Sequence, residues 1–132
     1  QDDPSALFAV TGDHAERFNF AADVSLWALS GIPCYFYGDG IPQDFFDEQT
    51  AGSHLQIAPT LVELIAPTGS SYVSLLPPLL HSDRAFNHRL YIENGEIGEQ
   101  KNLQDEEFRK YMEAARTVAS WMVMHDQKSG TS

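Results

Sequence analysis

Residues 6–10 (ALFAV) form an unbroken apolar run that stops at Thr11-Gly12-Asp13-His14. A strand that is apolar at every position has no solvent face, so it is expected to be fully buried, as in a layered α/β fold. The polar turn marks where it leaves the core. In an open α/β sheet, ligands bind at such strand ends. Residues 32–37 (IPCYFY), bounded by Ser30-Gly31 and Gly38-Asp39-Gly40, have the aromatic content of a second strand. The segment 21–29 between them reads as a helical turn or a loop lying over the sheet.

Further along, Ile57, Leu61, Leu64 and Ile65 recur at helical spacing, with Pro59 and Thr60 in the first turn, where a missing N–H costs nothing. This predicts a helix over 56–65, stopped by Ala66-Pro67-Thr68-Gly69. Pro77-Pro78 marks an irregular crossing. Residues 89–93 (RLYIE), Asn94-Gly95 and 96–98 read as a peripheral hairpin, because Asn-Gly supplies the two positive φ angles of a type I′ turn. The last element is an amphipathic helix over 104–124, with Asn102 as cap and Asp105, Glu106 and Glu107 at its positive end. Its apolar stripe is Phe108, Met112, Ala115, Ala119 and Met122. Residues 127–132 read as a frayed polar tail.

With 132 residues, 42% of them hydrophobic, the chain has material for one core and too little for two. Lys and Arg number 8 against 19 Asp and Glu, a net charge of -11 that repels phosphate backbones and anionic lipid surfaces. Nucleic acid is therefore not an expected partner. No apolar run approaches the roughly 20 residues of a membrane-spanning helix, so the chain is expected to be soluble. The one cysteine, Cys34, lies among Ile32, Pro33 and Tyr35 and is expected to be a buried, inert thiol.

Asp13 and His14 offer a hard carboxylate oxygen and an imidazole nitrogen to one divalent cation, a mixture suited to zinc or manganese. The bland reading is that Asp13 caps the next segment and His14 is a polar neighbour. His54, just before the helix, either completes such a site or hydrogen-bonds the loop and the helix start. His81, His88 and His125 read as solvated. Arg17 and Arg84 are candidates for an anionic substrate, or for ion pairs with the many acidic residues. No G-x-S-x-G, G-x-G-x-x-G, phosphate-binding loop or C-x-x-C is present. The residues alone give half a metal site and no nucleophile.

FAVTGDHAERFNF, then GIPCYFYGDGI, then GSHLQIAPTLVELIAP with SYVSLL after it, resembles the C-terminal part of the sulfatase-like branch of the alkaline phosphatase superfamily. Within that branch the chain is most similar to the lipoteichoic acid synthase and phosphoglycerol transferase group. The resemblance covers residues 6–80, with weaker agreement through the hairpin, and Gln56 stands where the family usually has Asp. It implies an alkaline-phosphatase-like layered α/β domain in which Asp13 and His14 bind a divalent metal, manganese or zinc, with magnesium and calcium as further candidates. Arg17 and His54 are the residues it suggests for substrate contact.

In this family an acidic ligand and a threonine that is both ligand and nucleophile lie upstream, so the resemblance places them before Gln1. The chain is then expected to be a C-terminal portion, inactive by itself, of an enzyme that attacks a phosphodiester of a phospholipid or glycan through the metal-bound threonine oxygen. The intact enzyme is expected to be anchored at the extracytoplasmic face of a bacterial cell membrane. Surface meant for the missing part of the domain is expected to stay exposed or to be covered by self-association. An arylsulfatase or phosphoethanolamine transferase fragment is the nearest rival within the enzymes, and an acidic α/β interaction domain is the non-catalytic alternative.

Overall fold

The computed structural model describes residues 6–15, 23–42, 45–46 and 50–129, and among these it has two small antiparallel sheets and three α-helices. The first sheet is a ribbon of β1 (Phe8–Thr11) and β2 (Cys34–Tyr37), in register from Phe8 opposite Tyr37 to Thr11 opposite Cys34. Between them lies α1 (Leu26–Ser30), capped by the Ser25 hydroxyl, which accepts from the Ala28 N–H at 3.2 Å. A single 3-10 turn at His54–Gln56 leads into α2 (Ile57–Ile65). The second sheet is β3 (Arg84–Phe86), β4 (Leu90–Glu93) and β5 (Glu96–Glu99) with β4 in the middle, followed by α3 (Glu106–Ser129).

The expectation of a buried first strand fails. All four residues of β1 are exposed, and in β2 only Phe36 is half-buried. Apolar side chains make a strand able to be buried, but neighbours do the burying, and among the described residues the ribbon has few, Phe46 stacking on Phe36 at 5.1 Å being one. Cys34 is exposed for the same reason.

The core lies instead where a peripheral hairpin is predicted. Leu76, Phe86, Leu103, Phe108, Met112 and Ala115 form one buried cluster, with Leu75 and Tyr91 packed against it. Phe108 meets Phe86 and Tyr91 edge to face, at ring-centre distances of 6.4 and 6.3 Å. Each such ring stabilises the fold by about 1.5–3 kcal/mol through the apolar surface it removes from water. The turn between β4 and β5 takes the predicted form, with φ of 51° at Asn94 and 79° at Gly95. β3, absent from the sequence reading, pairs with β4 through Arg84 opposite Glu93, Ala85 opposite Ile92 and Phe86 opposite Tyr91, and converts the hairpin from an edge into the floor of the core.

The C-terminal helix buries Phe108, Met112 and Ala115 of the expected stripe, while Ala119 is half-buried and Met122 exposed. Asp105, not Asn102, caps it: its Oδ1 accepts from the Phe108 N–H at 3.0 Å and its carbonyl from the Arg109 N–H. The helix continues through residues 127–129, where a frayed tail is predicted. Among the described residues, no helix is long and apolar enough to cross a membrane.

Candidate functional site

The end of β1 carries Thr11, and the turn after it carries Gly12, Asp13 and His14. A Cβ at Gly12 would lie 2.9 Å from the Ile32 side chain, so a larger residue there would require Ile32 to shift. Asp13 is 90% exposed and His14 52%, with Asp13 Oδ1 and His14 Nε2 3.6 Å apart. His14 Nδ1 lies 2.8 Å from the Ala15 carbonyl. A carbonyl only accepts, so the Nδ1 that meets it carries a proton, and Nε2 is the ring nitrogen left to face Asp13. Two donors bound at ~2.0–2.2 Å to one tetrahedral ion lie roughly 3.3–3.5 Å apart, so this pair fits two adjacent positions around a cation with a small rotation. The backbone bond at Nδ1 is the kind of partner that orients a metal-binding imidazole.

His54 is brought to this turn from 42 residues away. Its Nε2 lies 3.0 Å from the Gly12 carbonyl and 3.5 Å from Thr11 Oγ1. Thr11 Oγ1 donates to the same Gly12 oxygen at 3.2 Å. Of the two roles open to His54 in the sequence, neither describes this contact: the ring bonds the strand end and not its own loop, and it uses Nε2 to donate. Cys34 sits beside Thr11. Although the residue is exposed, partial desolvation of its thiol raises the thiol pKa, against the pull of the Thr11 hydrogen bond.

A reciprocal capping box presents His54. The Ser53 N–H donates to Gln56 Oε1 at 3.0 Å while the Ser53 hydroxyl caps the turn. Gln56 and Thr60 are both fully buried. Gln56 Nε2 donates to the Pro77 carbonyl at 3.1 Å, Thr60 Oγ1 donates to the Gln56 carbonyl at 2.6 Å, and the Leu79 N–H donates to Thr60 Oγ1 at 3.0 Å. The Ser53-x-x-Gln56 spacing was the signal for this box in the sequence. An ionised Asp at 56 could not donate to Pro77, so this contact depends on the amide of Gln56.

The remaining candidates separate clearly. Arg17 lies outside the described residues. Arg84 is held by Glu93 at 3.1 Å and Asp105 at 2.8 Å, with its guanidinium 5.4 Å from the Phe108 ring centre, so it serves the core. His88 is exposed in the turn before β4, and His125 stacks on Trp121 at 4.3 Å. Among the described residues, no group of three or more His, Cys, Asp and Glu side chains is arranged to hold an ion. Asp13 and His14 bring together two donor side chains and, among the described residues, no third.

A mostly apolar cavity of about 940 Å³ opens beside this turn. Thr11 and His54 line one wall with Trp27 and Phe36, and Phe86 and Tyr91 face them from the second sheet. Its size lies within the range of about 300–1,000 Å³ typical of small-molecule pockets. Comparison with protein-family models, curated proteins and solved structures found no match to this chain.

Proposed function

We propose that the chain is the C-terminal portion of a metal-dependent phosphoglycerol transferase or sulfatase-like hydrolase acting on phosphodiesters. The observation that carries the reading is the Asp13 and His14 pair at a strand end, accessible, with carboxylate oxygen and Nε2 3.6 Å apart and Nδ1 engaged by the Ala15 carbonyl. The ordered resemblance of the three segments around it supports the same assignment. A divalent ion, zinc or manganese, would be held by these two residues and would supply charge neutralisation at phosphoryl oxygens and activation of a hydroxyl nucleophile. The reading takes the nucleophilic threonine and the remaining ligands from polypeptide outside these 132 residues. That polypeptide would also complete an alkaline-phosphatase-like layered α/β domain around the ribbon, whose strands are apolar yet uncovered. The substrate in this reading is a phospholipid or glycan phosphodiester at the outer face of a bacterial membrane, with Arg17 as a phosphate contact.

The same uncovered ribbon also favours a second reading, an acidic interaction domain that docks a partner on these strands. Calorimetry with zinc and with manganese separates the two. The enzyme reading expects one ion per chain, lost in Asp13→Ala and in His14→Ala, and no phosphodiesterase turnover by this chain alone. Equal binding in Asp13→Ala, or turnover that depends on Asp13, would overturn it.

A further inference from the structure

The geometry points to His54 as a positioning residue: we infer that its Nε2–H holds the Gly12 carbonyl and thereby fixes the turn that presents Asp13 and His14, with Gln56 anchoring the backbone turn that carries His54. The acceptor decides the direction of the bond. Gly12 O can only accept, so the Nε2 that reaches it at 3.0 Å must carry the proton and has no lone pair to give an ion. Thr11 Oγ1 donates to the same oxygen, so two groups from separate parts of the chain converge on the one carbonyl that precedes Asp13.

The anchor is built around two buried polar side chains, Gln56 and Thr60, whose polar atoms each have a partner. The capping box fixes the backbone on both sides of His54, Gln56 ties it to Pro77, and Thr60 ties Gln56 to Leu79. Satisfied buried networks of this kind are rigid, because any displacement leaves a desolvated group without a partner. Gly52 closes the anchor: a Cβ there would run into both Gln56 Oε1 and the Leu79 side chain. The exposed turn at Asp13 and His14 is therefore tied, through one imidazole, to a rigid point in α2. In that role His54 acts through the backbone and touches neither ion nor substrate.

This inference rests on the reading of Asp13 and His14 as ligands only for its consequence in affinity; the ordering of the turn is measured without metal. In the metal-free protein, amide relaxation at Asp13 and His14 should show an ordered turn that loosens in His54→Ala and is restored in His54→Gln, whose amide donor reaches as far as Nε2 but is a poor ligand. A turn equally ordered in His54→Ala, or not restored in His54→Gln, overturns the inference. With zinc added, His54→Ala should weaken binding by about 10- to 100-fold, as loss of an orienting partner does, and His54→Gln should recover most of it. Equal losses in both variants would make His54 a ligand and overturn the positioning role. Gln56→Met should weaken binding in the wild-type background and add nothing to His54→Ala, whereas additive losses would sever Gln56 from His54. If the wild type shows the ordered turn and binds no zinc, the metal reading of Asp13 and His14 fails while the inference about the turn stands.

Discussion

The ribbon of β1 and β2 is made from strands of similar length to those of the sheet of β3, β4 and β5 and is the more apolar of the two, yet it is the one left exposed. Phe8, Val10, Tyr35 and Tyr37 all stand in solvent, whereas Ala85, Phe86, Leu90 and Ile92 are buried. The difference is α3. Its stripe of Phe108, Met112 and Ala115 gives the second sheet a surface to close against, and the ribbon has no counterpart among the described residues. Burial thus belongs to the pair of surfaces, and the candidate site stands on the half that lacks one. Its order comes from α2, through the buried Gln56 and Thr60.

The sharpest way to break this comparison is to cut one large side chain on each side. Phe108→Ala, at a position 1% exposed, should destabilise the protein by about 3–5 kcal/mol in denaturant titrations. Tyr37→Thr, at a position 74% exposed, should change stability by no more than about 0.5 kcal/mol. Comparable losses at the two positions would mean that the ribbon is covered in solution, by a second copy or by other contacts. At the joint, Thr60→Val keeps the shape but leaves the Leu79 N–H without its acceptor, which should cost about 1–3 kcal/mol in the same titration. A neutral Thr60→Val would show that the joint does not tie the halves.

The smallest effect is in pH. Burial first, then the hydrogen bond and charge of Asp105, hold Glu93 above the usual carboxylate range. The hydrogen bond from the Phe108 N–H and then the bond with Glu93 hold Asp105 below it. A carboxyl raised on folding favours the fold while protonated, so that contribution fades as pH rises through the raised value. Asp105 does the reverse: its contribution is present above the usual Asp value and lost as pH falls through the depressed one. Stability of the second sheet should therefore pass a shallow maximum between these two titrations, near the usual carboxylate range of about 4. Glu93→Gln should remove the decline on the alkaline side, and an unchanged decline would detach it from Glu93.

What the sequence revealed follows from how far each signal reaches. Asn94-Gly95 announces its turn because the φ angles belong to those two residues. The stripe from Phe108 to Ala115 announces its helix because its period is local. β3 escaped because three residues carry no period and become a strand only by pairing with β4. The apolar run of β1 gave its strand, but the layers expected to cover it are not a property of those residues. The site divides in the same way: Asp13 and His14 are adjacent and legible, whereas the bond from His54 to Gly12 spans 42 residues and no spacing rule contains it. The sequence points to Asn102 as the cap, with Asp105 inside the first turn; the cap is Asp105, which also pairs with Arg84, a contact from a distant strand.

The chain has two tryptophans, and the fold gives one to each half: Trp27 in α1 on the cavity wall, Trp121 in α3 beside His125. Emission from Trp27 follows whatever enters or closes the cavity. Emission from Trp121, stacked on the His125 imidazole whose Nδ1 bonds the Trp121 carbonyl at 2.8 Å, follows the packing of that stretch of α3. The molecule therefore carries a two-channel optical probe of its own, and replacing either indole with phenylalanine isolates the signal of the other half.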